Sequence, residues 1–84
     1  MNNFFISKYI NNITLNNIND FAKKEGIFLI NNEDKIIYNY IKKYWKVFLY
    51  DNPDNIFNKL KHEISNNTYN KIIEVYNKYK NKIN

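Results

Sequence analysis

The sequence contains no cysteine, one glycine and one proline in its 84 residues. Without cysteine the chain can form neither disulfides nor thiolate metal sites, and a single glycine cannot build a glycine-rich phosphate-binding loop. A chain of this length buries only about 60–65% of the surface that its unfolded form exposes, which leaves room for one domain. We assign that single helical domain to residues 1–84, stabilised by helix packing or by a partner.

Arginine is also absent, and no hydrophobic run is long. All 13 basic residues are lysine, so the bidentate guanidinium that suits phosphate and guanine is missing. The longest apolar runs, at 27–30 and 47–50, are far below the ~18 residues that span a bilayer. The first residues lack the basic and apolar regions of a signal peptide. We therefore expect a cytoplasmic protein that does not enter a membrane.

The net charge of +5 would ordinarily indicate an anionic partner. Here Asn, Ile, Lys and Tyr supply 54 of the 84 residues, and their codons consist almost entirely of A and T. This composition indicates an AT-rich genome, which by itself enriches lysine and tyrosine. The charge alone therefore does not identify a partner.

Apolar residues recur at helical spacing in five segments. The first helix is predicted over about 3–12, and the second begins at a Thr14 cap and ends at Gly26, which suits the left-handed C′ position. Asn31 and Asn32 precede the third helix, with acidic residues in its first turn. These signals predict an all-α bundle of four to five short helices.

The last two helices also have cap candidates in the sequence. Asn52 is predicted to cap the fourth, with Pro53 at the first helical position. The fifth is predicted to start at a cap formed by Asn66, Asn67 or Thr68. Its periodic stripe consists of Tyr69, Ile72, Ile73, Tyr76, Lys80 and Ile83. The predicted shared core consists of Ile18, Phe21, Ala22, Ile37, Ile41, Phe57, Leu60, Ile64, Ile72 and Tyr76.

An internal similarity occurs at an offset of twenty residues. Each copy consists of a helix end, a four-residue apolar segment, an Asn and a new helix. Two interpretations stay open: chance in a biased composition, or a structural repeat whose segments 27–30 and 47–50 pair in a minimal β bridge. The matching residues are Lys23, Phe28, Leu29, Asn32 and Asp34 in one copy and Lys43, Phe48, Leu49, Asn52 and Asp54 in the other.

Catalytic and metal-binding constellations are not evident in the sequence. Nucleophilic catalysis requires a Ser, Thr or Cys beside a base, and the chain offers Ser7, Ser65 and one histidine, His62. His62 lies off the apolar stripe of its helix and is interpreted as a solvated residue. No calcium or zinc ligand spacing is present. We expect no catalytic residues, no metal and no cofactor, and hence no enzyme.

A basic face on the third helix is the candidate for anion contact. Lys35, Lys42 and Lys46 lie at helical spacing on one side, with no acidic residue on the same line. Nearby Tyr38, Tyr44 and Trp45 are of the type that stacks on bases. The alternative interpretation is an ordinary solvated helix face, with Trp45 at the edge of the core.

One stretch of sequence is similar to a known family. The run from Thr14 through Gly26 to Leu29, followed by a capped helix, resembles the YqfT-like family of small uncharacterised proteins from Bacillus and related Firmicutes. Phe57, Leu60, Glu63-Ile64 and the helix 72–79 extend the similarity. The chain departs from the family pattern at Ile30-Asn31, where a Ser or Thr cap is usual. The resemblance implies a bacterial cytosolic protein but no activity and no functional residues.

These observations favour a non-catalytic interaction module. The expected partner is another protein or a second copy of the chain. The alternative is a basic nucleic-acid or ribosome-associated protein, which a steep salt dependence of binding would reveal.

Overall fold

Five helices form the described part of the chain, and each corresponds to a segment that apolar periodicity predicts. The computed structural model describes residues 3–83, and side chains from 4 to 81. No strand occurs among residues 3–83, so the predicted all-α bundle is confirmed. The helices are α1 (Asn3–Asn11), α2 (Leu15–Lys24), α3 (Glu33–Tyr50), α4 (Asp54–Lys61) and α5 (Asn66–Ile83).

Both predicted ends of α2 are confirmed. The Thr14 hydroxyl accepts the Asn17 backbone N–H at 3.1 Å, and the Asn17 side chain accepts the Thr14 N–H at 2.9 Å. This reciprocal pair is a capping box, with Asn in the place usually taken by Glu or Gln. At the other end Gly26 has a φ of +74°, and Ile27 N–H bonds back to the Ala22 carbonyl at 2.8 Å. That bond is the 6→1 contact of a Schellman motif, which ends the helix.

The start of α3 differs from the predicted Asn cap. Asn32 has a φ of +66°, and its side chain makes no capping hydrogen bond. A side-chain cap normally requires an extended backbone at that position, which the left-handed conformation does not provide. In the first turn the Asp34 carboxylate accepts the Lys35 backbone N–H at 2.8 Å. The Glu33 Oε1 accepts the N–H of Ile30, which precedes the helix, at 3.0 Å. Asn31, with a φ of +46°, and Asn32 adopt the left-handed conformation that Asn tolerates well.

The predicted β bridge between 27–30 and 47–50 is wrong. Residues 47–50 are the last turn of α3, and helical bonding continues to a 3.0 Å bond from Asp51 N–H to the Val47 carbonyl. The physical reason lies at one position of the internal similarity. Gly26 stops the helix in the first copy, whereas Lys46 occupies the matching position in the second and is a good helix former.

The start of α4 is shifted by one residue from its prediction. The Asn52 side chain does accept the Asp54 backbone N–H at 3.0 Å, as a capping side chain should. The first helical bond, however, runs from Phe57 N–H to the Pro53 carbonyl at 2.9 Å. Pro53 therefore precedes the first helical residue instead of being that residue.

Ser65 caps α5, and the prediction of Asn66, Asn67 or Thr68 is wrong. The Ser65 hydroxyl accepts the Thr68 backbone N–H at 3.2 Å, and the Ser65 carbonyl accepts the Tyr69 N–H at 2.9 Å. Thr68 lies inside the first turn, where its side chain is only 1% exposed. Its hydroxyl bonds to another helix, so it is not available as a cap.

The core is smaller than the predicted one. Four of the predicted core residues are buried, and Ile27, which was not predicted, is buried with them. Phe21 is 43% exposed, so its prediction as a core residue is wrong. The Phe21 ring instead lies beside the Tyr79 ring, with centroids 5.8 Å apart. The confirmed residues are Ile18, Ala22, Phe57 and Leu60. The half-buried ones are Ile37, Ile41, Ile64, Ile72 and Tyr76.

Helix α3 packs against α1 and α2, and α4 packs against α5. An aromatic cluster joins the two groups: the Phe57 ring lies 5.1 Å from the ring centroids of both Phe48 on α3 and Tyr76 on α5. Such tilted and edge-on pairs add about 0.5–1.5 kcal/mol each to the burial of their surface.

Candidate functional site

A buried carboxylate connects the start of α3 to the start of α5. Glu33 is 3% exposed, and its Oε1 accepts the Thr68 hydroxyl at 2.7 Å while its Oε2 accepts the Ser65 backbone N–H at 2.7 Å. Burial raises the pKa of this carboxyl, but the hydrogen bonds from the Ser65 and Ile30 N–H groups outweigh burial and hold the pKa below its ordinary value. Both oxygens are engaged by the protein, so Glu33 is a structural group.

A second carboxylate holds the end of α2 against α5. The two Glu25 oxygens accept hydrogen bonds from the Tyr79 hydroxyl at 2.6 Å and the Lys78 ammonium at 3.0 Å. The bond from Tyr79 and the bond from Lys78 lower the pKa of Glu25. These contacts fix the C-terminal half of α5 beside α2.

An apolar cavity of about 550 Å³ is lined by residues of all five helices. Its inner wall includes Ile41, Ile72 and Val75, all half-buried. Tyr9 and Leu49 also line it and are 64% and 38% exposed, so they stand at the opening. The volume falls within the roughly 300–1,000 Å³ range of small-molecule sites. We refer to this space as the apolar cavity.

Lys80 is the one charged residue among the described residues that line the apolar cavity. Its ammonium donates a 3.0 Å hydrogen bond to the Tyr76 hydroxyl, which in turn donates to the Phe48 carbonyl at 2.9 Å. The ammonium also lies 5.3 Å from the Tyr76 ring centroid. Asp51 and Asp54 border a neighbouring cleft with Lys80, yet among the described residues no carboxylate forms an ion pair with it.

The outer side of α1 is aromatic. Phe5 is 67% exposed and Tyr9 64%, whereas Ile10 and Ile13 are half-buried and line the apolar cavity. Phe4 is also 64% exposed, and its ring lies 5.6 Å from that of Phe5. The periodic stripe of Phe5, Tyr9 and Ile10 is therefore divided between solvent and core. We call Phe4, Phe5 and Tyr9 the α1 aromatic surface.

The predicted basic face of α3 is only partly available for anions. The Lys42 ammonium donates to the carbonyls of Ile10 at 3.1 Å and Asn11 at 3.0 Å. It thereby binds the C-terminus of α1, where the helix dipole favours a cation. The expectation that all three lysines are solvated is wrong for Lys42. Lys35 and Lys46 are exposed.

The aromatic residues beside this face have lysine ammonium groups near their rings. Lys46 lies 5.5 Å from the centroid of the Trp45 ring, and Lys43 lies 5.2 Å from that of Tyr44. Trp45 is half-buried and lines the apolar cavity, as the core-edge interpretation predicted. Lys42 likewise lies 5.7 Å from the centroid of the Tyr38 ring, so each of the three predicted stacking residues already has a lysine beside its ring.

His62 ends α4 and is exposed, as predicted. Within residues 3–83, no group of three or more His, Cys, Asp or Glu residues is arranged to hold a metal ion. None of the helices among these residues combines the length and apolarity that crossing a bilayer requires.

The fold and its surfaces define a small all-α protein with an open apolar cavity and an exposed aromatic helix. Comparison of the chain with protein-family models, curated proteins and solved structures gives no match. The resemblance to the YqfT-like family therefore stays a prediction.

Sequence reasoning placed Lys80 on the apolar stripe of α5 but assigned it no role, although a signal was present. Lys80 follows Tyr76 by four residues and so occupies an apolar position of the α5 stripe. A charged residue at such a position is uncommon and indicates either a partner or a functional role. The burial of Glu33 had no comparable signal, because an acidic residue in a first helical turn is ordinary.

Proposed function

We propose that this chain is a non-catalytic module that binds another protein, or a second copy of itself, through the α1 aromatic surface. The observation that carries the proposal is the exposure of Phe5 and Tyr9, two large aromatic residues one helical turn apart. Aromatic residues are enriched in protein interfaces, and exposed apolar patches mark interaction sites. The proposal places the protein in the cytoplasm, a reducing compartment in which proteins rarely depend on disulfides.

The attachment of α1 supports this role. The helix is only nine residues long, and isolated helices of this length are marginal in water. It is held to α3 by the Lys42 bonds to its last carbonyls and by the half-buried Ile10 and Ile13. A partner that covers Phe5 and Tyr9 would bury their apolar surface and so stabilise the helix.

The test combines a variant pair with site-specific crosslinking. A photoreactive residue at position 5 should crosslink to one partner, or to a second copy, in the source cells, while the same residue at the exposed Asn58 on α4 should not. The double variant Phe5→Gln/Tyr9→Gln should abolish that association. Phe28→Gln removes the 86% exposed Phe28 and is the matched control for general stickiness.

Two results would contradict the proposal. One is a monomer by sedimentation velocity at every concentration together with no crosslink at position 5. The other is an equal loss of association in the Phe28→Gln control.

A nucleic-acid or ribosome-associated function is the second candidate. It is favoured by the run from Lys35 to Tyr50, which carries Lys42, Lys43 and Lys46 and no acidic residue. Binding through such lysines would be to phosphates, indifferent to base sequence and weakened steeply by salt. Retention on RNA and DNA at low and moderate salt distinguishes it from protein binding.

A further inference from the structure

The apolar cavity has the features of a ligand site, and it meets the α1 aromatic surface at Tyr9, which belongs to both. Its wall is almost wholly hydrocarbon and aromatic, and a single charge, the Lys80 ammonium, lies on it. The lining thus combines apolar side chains, such as Ile41 and Val75, with one positive charge on Lys80. A ligand that fits this arrangement is long and apolar with one negative group.

Lys80 is prepared to receive that negative group. An ammonium has three donors, and only the bond to Tyr76 uses one of them in the described structure. The Tyr76 hydroxyl donates its hydrogen bond to the Phe48 carbonyl, so its oxygen acts toward Lys80 as an oriented acceptor. Lys78, on the same helix, differs from Lys80 because it forms an ion pair with the Glu25 carboxylate at 3.0 Å.

We propose that the apolar cavity binds a single-chain amphiphile with a carboxylate head group, such as a fatty acid, and that Lys80 contacts the carboxylate. The hydrocarbon chain lies against Ile41, Ile72 and Val75, and the head group points to the wall formed by α5. A carboxylate is preferred over a neutral alcohol because a charge-assisted hydrogen bond is about twice as strong as a neutral one. A cationic head group is repelled by Lys80.

The test uses dodecanoate, dodecanol and dodecyltrimethylammonium as probes on the whole chain, with binding measured by calorimetry below the micelle concentration. Dodecanoate should bind with one molecule per chain and more tightly than dodecanol, and the cationic probe should not bind. Shortening dodecanoate to decanoate should weaken binding by about fourfold for each methylene removed.

Lys80→Gln should weaken dodecanoate binding by about tenfold and leave dodecanol unchanged. Lys71→Gln is the matched control on the same helix, because exposed Lys71 lies away from the cavity wall and should have no effect. Val75→Phe should narrow the cavity and weaken binding of both dodecanoate and dodecanol. If Val75→Phe fails to fold, intermolecular NOEs from the dodecanoate chain to the methyl groups of Ile41 and Val75 in the wild type locate the ligand instead.

The proposal is overturned if dodecanoate does not bind, if the cationic probe binds equally well, or if Lys71→Gln and Lys80→Gln weaken binding to the same extent. Absence of the NOEs to Ile41 and Val75 would also overturn it. Tyr9 is shared by the cavity and the α1 aromatic surface. The variants at Lys80 and Val75 lie on α5 and leave α1 unchanged, so loss of dodecanoate binding in them is distinguishable from loss of association through Phe5.

Discussion

The Glu33 carboxylate at the start of α3 accepts a 2.7 Å hydrogen bond from the backbone N–H of Ser65 at the start of α5, 32 residues further along the chain. One negative group is thus shared by the N-termini of two helices, where both helix dipoles favour it. It also bonds to Thr68, the side chain with the lowest exposure in the described structure. This junction holds the ends of two helices whose remaining lengths line the apolar cavity.

Replacing Glu33 with Gln should destabilise the protein by about 1–3 kcal/mol, because the amide retains one acceptor oxygen and places its NH₂ group against an N–H donor. The free energy of unfolding from urea denaturation measures the effect. Glu74→Gln is the control, since Glu74 is exposed and should change stability by less than about 0.5 kcal/mol. Equal stability of Glu33→Gln and wild type would show that the junction does not stabilise the fold.

Stability should also fall in acid through Glu33. Its folded pKa lies below the ordinary value of 4.5, so its contribution is complete above about pH 4.5 and is lost as the pH falls through the folded pKa. Glu25 and Asp34 are shifted in the same direction and add to the loss. Glu33→Gln isolates the contribution of Glu33: the gap in unfolding free energy between it and wild type should narrow with acidification. A gap independent of pH would contradict this assignment.

Asn52→Ala should cost about 0.5–2 kcal/mol, because it removes the side-chain oxygen that accepts the Asp54 N–H at the start of α4. Chemical denaturation provides the measurement. Asn55→Ala, at an exposed position inside the same helix, should be neutral or slightly stabilising, since Ala has the higher helix propensity. If the two variants behave alike, Asn52 is not an effective cap.

Leu60→Ala should cost about 2–5 kcal/mol, enough to unfold much of so small a domain, because Leu60 is 3% exposed. Leu49→Ala makes the same chemical change at a residue that is 38% exposed and should cost distinctly less. Thermal and urea unfolding of both variants compare the two sites. A cooperatively folded, fully stable Leu60→Ala protein would show that the α4 stripe faces water.

The basic face of α3 should divide into two kinds of lysine. Lys35→Gln/Lys46→Gln should weaken any RNA or DNA retention at low salt without lowering stability, since both residues are exposed. Lys42→Gln should lower stability instead, because it removes the donor to the last carbonyls of α1. Retention assays and urea denaturation separate the two effects. If wild type is not retained even at low salt, the nucleic-acid proposal is wrong.

Hydrogen bonds between near neighbours were predictable from the sequence at both ends of α2, but not at the starts of α3 and α5. The Thr14 cap spans three residues and the turn at Gly26 spans five, so the groups that stabilise these boundaries lie within the same short segment. The same reasoning failed at residues 47–50, where the apolar segment resembled 27–30 but lacked the glycine that stops a helix. Residues 47–50 are helical because Lys46 stands where the first copy has Gly26, so no residue stops the helix before them.

The all-α class and the approximate limits of the helices were determined by the sequence alone, because apolar periodicity and helix caps are local properties. Which face of each helix meets another was decided only by the tertiary structure. Phe5 and Phe21 lie on predicted stripes yet remain exposed, and Lys80 lies on the apolar cavity. The physical reason is that burial depends on helices distant in sequence, whose relative placement no local pattern of one segment specifies.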